Sequence, residues 1–539
     1  MDTYPSVIAG HDATHDKWLH VVRAGALLRE EIPALKLKRK LDRGVITDTD
    51  DPRVAGRVGL STPEQVAAAS VAARRAQPDW GATSVDERIA FARLLGDQIR
   101  AQAERIVDFL VAEGHPKRLA DWEVFSAIEM TSEDSLALSR RQLSDVTQVG
   151  QRETRLVRKP DGVVAVHPPH NAPVGNSMLA IGALIAGNAV IVKAPRSAPL
   201  GTAWFWREIV RPVLAKVGAP DGTMNLICAA PEEVLDHWLR SPDVDDLLFV
   251  GESTRGIEIG NRWHAAGKKT ILELAGNDGV LVWRDAEVSL AVRALTECFY
   301  GSTQICMVPK YALVHRDVAE QVLAELAREV ATIRPGYPEE EGALLSPVLK
   351  SAEFEKALAD AVDRGARLVC GGRRLEIDGT PGDMGLFIEP TLVRVDGLDA
   401  AADLDVVREE TFFPLLPIVV VDPADSAEGG DRGDERLLRD CVDFMNRNRY
   451  GLRNSVWTQD PETIELICAR LNNGGILKVN DSHIGQVVGL PTHGGTGRSG
   501  GPFGEAHFPI LRTSHLQAIS IATAVEPRES VFFSVAGNQ

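Results

Sequence analysis

Between residues 162 and 283, short β-rich runs alternate with helical stretches. The runs are Val163 to Val166, Ala189 to Val192, Thr223 to Ile227, Leu247 to Val250, Thr270 to Leu274 and Val280 to Trp283. Helical candidates lie between them at Gly175 to Ala186, Ala198 to Val217, Glu232 to Leu239 and Thr254 to Ala265. Strands separated by single helices predict right-handed crossovers and a parallel, doubly wound sheet. Ligands of such sheets sit beyond the carboxyl ends of the strands, where Asn171, Lys193 and Gly251 fall.

The flanking pattern adds further elements. Thr62-Pro63-Glu64-Gln65 reads as an N-cap with Pro at the first helical position and a capping-box partner. It predicts two amphipathic helices, Pro63 to Gln77 and Val85 to Gly114. Residues 1–60 have weak periodicity and mixed charge, so they read as an extension packed on a neighbouring surface or partly mobile. A second α/β region runs from about Asp278 to Leu490, with units around Ala312 to Ile333, Ala357 to Val369 and Leu415 to Val421. Asp422 to Arg436, rich in Asp, Gly and Ser, reads as a surface loop insertion. Gly494 to Gly500 is a glycine-rich loop, and His515 to Ala522 is strand-like.

At 539 residues the chain is too long for one small core, so two or three domains are expected. Hydrophobic content of 44% and charged content of 25% are those of a soluble globular protein. The net charge of −17 is spread along the chain and argues against a nucleic-acid surface, and Lys36 to Lys40 reads as a solvated face. Six scattered cysteines, without a Cys-x-x-Cys pair or a neighbouring His cluster, indicate neither a zinc site nor a disulfide framework and fit a reducing cytoplasm. The first residues are acidic and polar, unlike a signal peptide. The most apolar stretch, Met178 to Val192, is broken by Gly182, Gly187 and Asn188, so it reads as a buried helix and strand, not a membrane span.

Candidate chemistry centres on Cys306, in Gly-Ser-Thr-Gln-Ile-Cys-Met-Val-Pro-Lys on an irregular connection between the amphipathic Asp285 to Tyr300 and the apolar Tyr311 to Val314. A nucleophilic thiol needs exposure, a lowered pKa and polar helpers. Glu273, in Thr-Ile-Leu-Glu-Leu-Ala-Gly-Asn, is a lone carboxylate in an apolar run, which costs burial energy unless it has a partner or a job. There is no Gly-x-Gly-x-x-Gly after a strand; instead Phe-Val-Gly-Glu-Ser-Thr-Arg-Gly places Gly251 and Gly256 at a strand-to-helix turn whose free amides suit a pyrophosphate. On local grounds alone, the default for a lone cysteine is a buried, inert side chain and that for Lys193 a surface charge, while a turn asparagine at Asn171, a solvent-facing Glu273 and an acidic turn at Glu410 to Phe412 stay open.

Together, Leu-Glu-Leu-Ala-Gly-Asn around Glu273 and Gln-Ile-Cys at Cys306 resemble the glutamate and cysteine signatures of the aldehyde dehydrogenase superfamily. Recognisable motifs run in family order from about Thr62 to Ile521. The resemblance implies an α/β fold: two doubly wound α/β domains, cofactor-binding and catalytic, plus a small β oligomerisation extension. It implies an N-terminal extension over 1–60, a dinucleotide-binding domain over 61–148 and 161–272, and a catalytic domain over 273–490. Oligomerisation strands are expected over 149–160 and 508–525, the first a hairpin near Gln151 to Arg158. The implied activity is oxidation of an aldehyde to a carboxylic acid with NAD or NADP, in a cytoplasmic homodimer or homotetramer with no nucleic acid, membrane or metal partner. Cys306 is implied as nucleophile, Asn171 as oxyanion donor, and Glu273, with a raised pKa, as general base. Lys193, Arg196, Gly251, Glu252, Ser253, Gly256, Glu410 and Phe412 are implied cofactor residues.

The sequence departs from the family pattern at four places: His170 for a tryptophan, Arg196 for the ribose glutamate, Glu252 for a serine and Phe413 for a glycine. An arginine at 196 can pair a 2′-phosphate, so NADP is expected to be accepted at least as well as NAD. Two alternatives stay open: a coenzyme-A-acylating relative, which the presence of Glu273 opposes, and a catalytically silent relative with a binding or structural role.

Overall fold

A computed structural model describes residues 1–150, 152–422, 431–501 and 504–522. Two seven-stranded sheets dominate it. In the first, the strands Lys269–Glu273, Asp246–Val250, Val163–His167, Ala189–Lys193 and Met224–Ile227 lie side by side in that order, all parallel. Helices such as Leu179–Ala186, Pro231–Arg240 and Ser253–Ala265 connect them. The central strands are buried on both faces, which is why they read as unbroken aliphatic runs.

The amino-terminal segment is woven into this domain. Val7–Ile8 pairs antiparallel with Met224–Ile227, and His11–Asp12 pairs with Val7–Ile8, so both extend the sheet. Thr3–Tyr4, Trp18–Val22 and Val54–Gly59 form a separate three-stranded sheet. The side chains of Arg207 and Asp12 pair across this junction.

The Thr62 capping box forms as read, and its helix runs Pro63–Ala82, past the expected end. The second expected helix is two, Val85–Ala101 and Ala103–Ala112, broken at Gln102. At the Ala186 end of its helix, Gly187 takes φ +102, a left-handed cap that a side chain would strain.

The second sheet runs Arg367–Cys370, Thr391–Asp396, Leu415–Val421, Pro309–His315, Asp278–Val282, Arg453–Trp457 and Ile476–Val479. Only the Arg367–Cys370 edge is antiparallel. The acidic stretch read as a loop is in part helix, since Asp431–Asn446 is α-helical with an apolar face into the core. Residues 423–430 of that stretch lie outside the described residues. A third, antiparallel sheet joins Ser144–Val149, Arg152–Pro160 and Ser514–Ala522. Gln151 and residues 523–525 of the expected oligomerisation strands lie outside the described residues.

The chain passes from the first sheet to the second through residues 274–277, directly after Glu273. Glu273 is therefore the last residue of the first sheet's edge strand, while Asp278 and Arg453 open strands of the second. The carboxyl edge of one sheet abuts the amino edge of the other, and the candidate residues lie along that seam.

Candidate active site

Cys306 sits in a loop held by unusual backbone. Gly301, Ser302 and Thr303 take φ values of +64, +56 and +61 in succession. Left-handed non-glycine residues cost roughly 1–3 kcal/mol each and persist only where their surroundings over-determine them. Here Ser302 Oγ donates to Ser346 O at 2.7 Å, Thr303 Oγ1 donates to Cys298 O at 2.8 Å, and Lys310 Nζ donates to the carbonyls of Thr303, Ile305 and Thr411 at 2.8–3.1 Å. Lys310 is fully buried, and burial lowers its pKa. From the first sheet's side, Gly276 presses on the same loop: a Cβ there would lie 2.3 Å from the carbonyl oxygen of Cys306.

The Cys306 thiol is half-buried and pushed up to about 12, by burial first and then by the Glu410 and Asp278 carboxylates, against Lys310 and Arg453. The expectation of a lowered pKa is corrected: two acids and a desolvated setting keep the resting side chain protonated.

Asn171 follows Pro168-Pro169 off the end of the Val163–His167 strand. Its side-chain amide donates to Gln304 O at 3.0 Å, two residues before Cys306. Its own carbonyl faces His115 Nε2 at 3.0 Å. Among the described residues the second N–H of the amide has no acceptor, so one donor remains for an incoming oxygen.

Glu273 is 5% exposed. Its Oε2 accepts from Gly494 N at 2.6 Å, and its Oε1 contacts His507 Nε2. Burial pushes its pKa up, but His507, His493 and the Gly494 amide outweigh burial and hold it below the usual carboxylate value. The expected raised pKa is thus corrected, because a carboxylate that accepts from a backbone amide and faces two histidines is stabilised in its charged form.

A small pocket opens beside this seam, lined by Trp122, Met130, Met307, Arg453, Ile484 and His493 among others. Arg453 is 2% exposed, donates to His483 O and Thr492 O at 3.2 and 2.8 Å, and is electrostatically felt by both Cys306 and Glu273. Sequence reasoning missed Arg453, Lys310, His493 and His507. Arg453 opens its strand and Lys310 is second in its own, as many surface cations are, and nothing in their neighbours marks them.

The nucleotide positions divide. Lys193 closes its strand as a buried ammonium, 1% exposed, with no hydrogen-bond partner among the described residues. Burial lowers it to about 8. An orphaned buried ammonium at a strand's carboxyl end fits a ribose hydroxyl. Arg196 is exposed three residues on. Glu410 accepts from Gly276 N at 3.1 Å and is raised to about 7, mainly by burial, while Phe412 lies under Lys310, 5.3 Å from the ring centroid. Ser253 Oγ donates to Arg498 O at 2.8 Å. Gly251 and Gly256 are close-packing positions: a Cβ at 251 would meet the Phe249 ring at 2.8 Å, and one at 256 would meet Leu274 at 2.2 Å.

The helix amides do not fit the pyrophosphate expectation. Glu252 caps its own helix, accepting from Thr254 N at 2.6 Å and Arg255 N at 2.8 Å. A carboxylate two bonds longer than a serine hydroxyl reaches the free N–H groups and satisfies the positive helix end itself. The backbone donors expected for phosphate are therefore already taken.

A model of the aldehyde dehydrogenase family matches residues 43–509. The chain belongs to the aldehyde dehydrogenase family. Membership carries the activity, oxidation of an aldehyde to a carboxylic acid with NAD(P). Among curated relatives, vanillin dehydrogenase of Pseudomonas fluorescens is 29% identical over 481 residues, covering 86% of this chain and 92% of the relative. The NAD(+) benzaldehyde dehydrogenase of Pseudomonas putida is also 29% identical, over 475 residues, covering 86% and 90%. Of solved structures, lactaldehyde dehydrogenase from Escherichia coli superposes with a TM-score of 0.77 at 25% identity, covering 96% of this chain and 99% of that one. Among the described residues of this aldehyde dehydrogenase, no helix is long and apolar enough to cross a membrane.

Proposed function

We propose that this aldehyde dehydrogenase oxidises an aromatic aldehyde through a covalent intermediate on Cys306. The observation that carries the reading is the Asn171 amide fixed at 3.0 Å from Gln304 O, which sets an oxyanion donor beside the cysteine loop. Trp122, Met130, Met307 and Ile484 give the pocket an apolar and aromatic wall, and the vanillin and benzaldehyde relatives support the same substrate class.

In this reading the Cys306 sulfur bonds the aldehyde carbon and its thiol proton leaves. The oxyanion is held by the Asn171 amide and the Cys306 N–H. NAD(P), when bound, supplies the hydride acceptor, which leaves an acyl group in thioester linkage to Cys306. Glu273 then takes a proton from water, the water oxygen bonds the acyl carbon, the C–S bond breaks, and the acid departs. Lys193 and Glu410 hold the ribose groups, and the exposed Arg196 supports use of NADP beside NAD. The antiparallel sheet of Ser144–Val149, Arg152–Pro160 and Ser514–Ala522, whose outer residues Val146, Val149, Leu156 and Leu516 are exposed, supports a homodimer or homotetramer. The scattered, unpaired cysteines support a cytoplasmic setting.

The test is reduced-nicotinamide absorbance with benzaldehyde, vanillin and aliphatic aldehydes, each with NAD and NADP, beside Cys306→Ala. Turnover of the aromatic set that disappears in the variant is expected. Turnover only in the presence of coenzyme A would instead identify an acylating enzyme.

A further inference from the structure

Glu273 is gripped by an element that the reaction as described does not use. The two short strands His493–Gly494 and Ala506–His507 pair antiparallel, with His493 opposite His507 and Gly494 opposite Ala506. Gly494 takes φ +82, and a Cβ there would lie 2.1 Å from Glu505 O, so only glycine fits. This hairpin delivers the Gly494 amide to one oxygen of Glu273 and His507 Nε2 to the other.

The surroundings of His507 distinguish its two ring nitrogens. It is 7% exposed; Nε2 lies in contact with Glu273 Oε1 without meeting hydrogen-bond geometry, and Nδ1 is buried with no contact to a polar atom among the described residues. A proton on Nδ1 would be an unmatched buried donor, whereas a lone pair left unmatched costs less. A ring proton on Nε2 is therefore the one that meets an acceptor, Glu273 Oε1. The other histidine is committed elsewhere, with His493 Nδ1 2.5 Å from Thr492 Oγ1.

We infer that His507 is the positioning residue of the deacylation step: its Nε2–H, with the amide of Gly494, clamps the Glu273 carboxylate as the acceptor for the proton of the attacking water. The clamp leaves one lone pair free on each oxygen, enough for one water. The water proton passes to Glu273 as its oxygen bonds the acyl carbon, and the departing thiolate takes a proton to restore the thiol. The charged and titratable groups facing Glu273 are His507, His493 and Arg453, all donors or cations. Without His507, burial is the dominant remaining influence, and the carboxylate would hold its proton to higher pH.

The inference rests on Glu273 being the general base, and the test separates the two. The probe is p-nitrophenyl acetate, which acylates Cys306 directly and needs no nicotinamide, so a nitrophenolate burst reports acylation and the steady rate reports deacylation. His507→Leu and His507→Met, which fill the space without a donor, are expected to keep the burst and lower the steady rate. They should also move its acid limb upward by about one pH unit or more. His507→Gln, which restores a donor, should return the limb toward the wild-type position. Equal slowing in all three with an unmoved limb, or no change in any, overturns the inference and makes His507 a packing residue. An unchanged steady rate in Glu273→Gln overturns the base assignment instead.

Discussion

The side-chain amide of Asn171 and the backbone carbonyl of Gln304 are joined by a 3.0 Å hydrogen bond across the seam between the two sheets. The bond orients a donor beside the Cys306 loop before any substrate arrives, and pre-oriented donors stabilise developing charge without reorganisation. Asn171→Ala should lower kcat by about 10²–10³-fold, or ~3–4 kcal/mol, with a smaller change in KM. Steady-state kinetics with benzaldehyde would measure it, and a change confined to KM would assign Asn171 to ground-state binding.

Glu252 occupies the helix amides that a pyrophosphate would use. Its own hydrogen bonds hold it below the usual carboxylate range, so it stays charged and repels phosphate throughout neutral pH. Glu252→Ser should tighten dinucleotide binding by roughly tenfold, ~1.4 kcal/mol, measured by titration of protein fluorescence. Weaker binding in the variant would show that the glutamate helps hold the nucleotide.

Arg196 is exposed three residues past the buried Lys193, and in the proposed reading it pairs the 2′-phosphate of NADP. Arg196→Glu should shift the ratio of kcat/KM for NADP over NAD downward by about tenfold or more. An unchanged ratio would sink the NADP assignment.

The resting Cys306 thiol, raised by burial and two acids, is protonated at neutral pH. Because thiolate appears only as pH climbs toward the raised pKa, alkylation by iodoacetamide should rise roughly tenfold per unit from pH 7 to 10. Glu410→Gln, which removes one of the acids, should speed alkylation at pH 8. A rate that levels off below pH 8 would mean that the thiol is activated in the free protein.

Lys310 holds three carbonyls of the cysteine loop and its neighbour. Lys310→Met leaves buried acceptors unmatched, at a cost of roughly 1–3 kcal/mol each. Thermal melting should show a Tm lower by several degrees, together with lost activity; an unchanged Tm would indicate that the left-handed turn is held by Ser302 and Thr303 alone.

The alternation of apolar runs and helices determined the parallel sheet of the first domain, because strands buried on both faces must be aliphatic and their crossovers must be helical. The motifs at Cys306, Glu273, Asn171 and Lys193 stood out in the sequence through their resemblance to the family's signatures, because local pattern alone left each open to an inert reading. Tertiary structure alone decided the rest. Val7–Ile8 joins the first sheet by pairing with a strand more than two hundred residues away, which two residues cannot signal by periodicity. The protonation of Cys306 and the charge on Glu273 depend on Glu410, Asp278, His507 and Gly494, brought close only by folding. Sequence specifies which groups a chain carries; which charges face one another across a desolvated seam, and so which proton each group keeps, is set by packing.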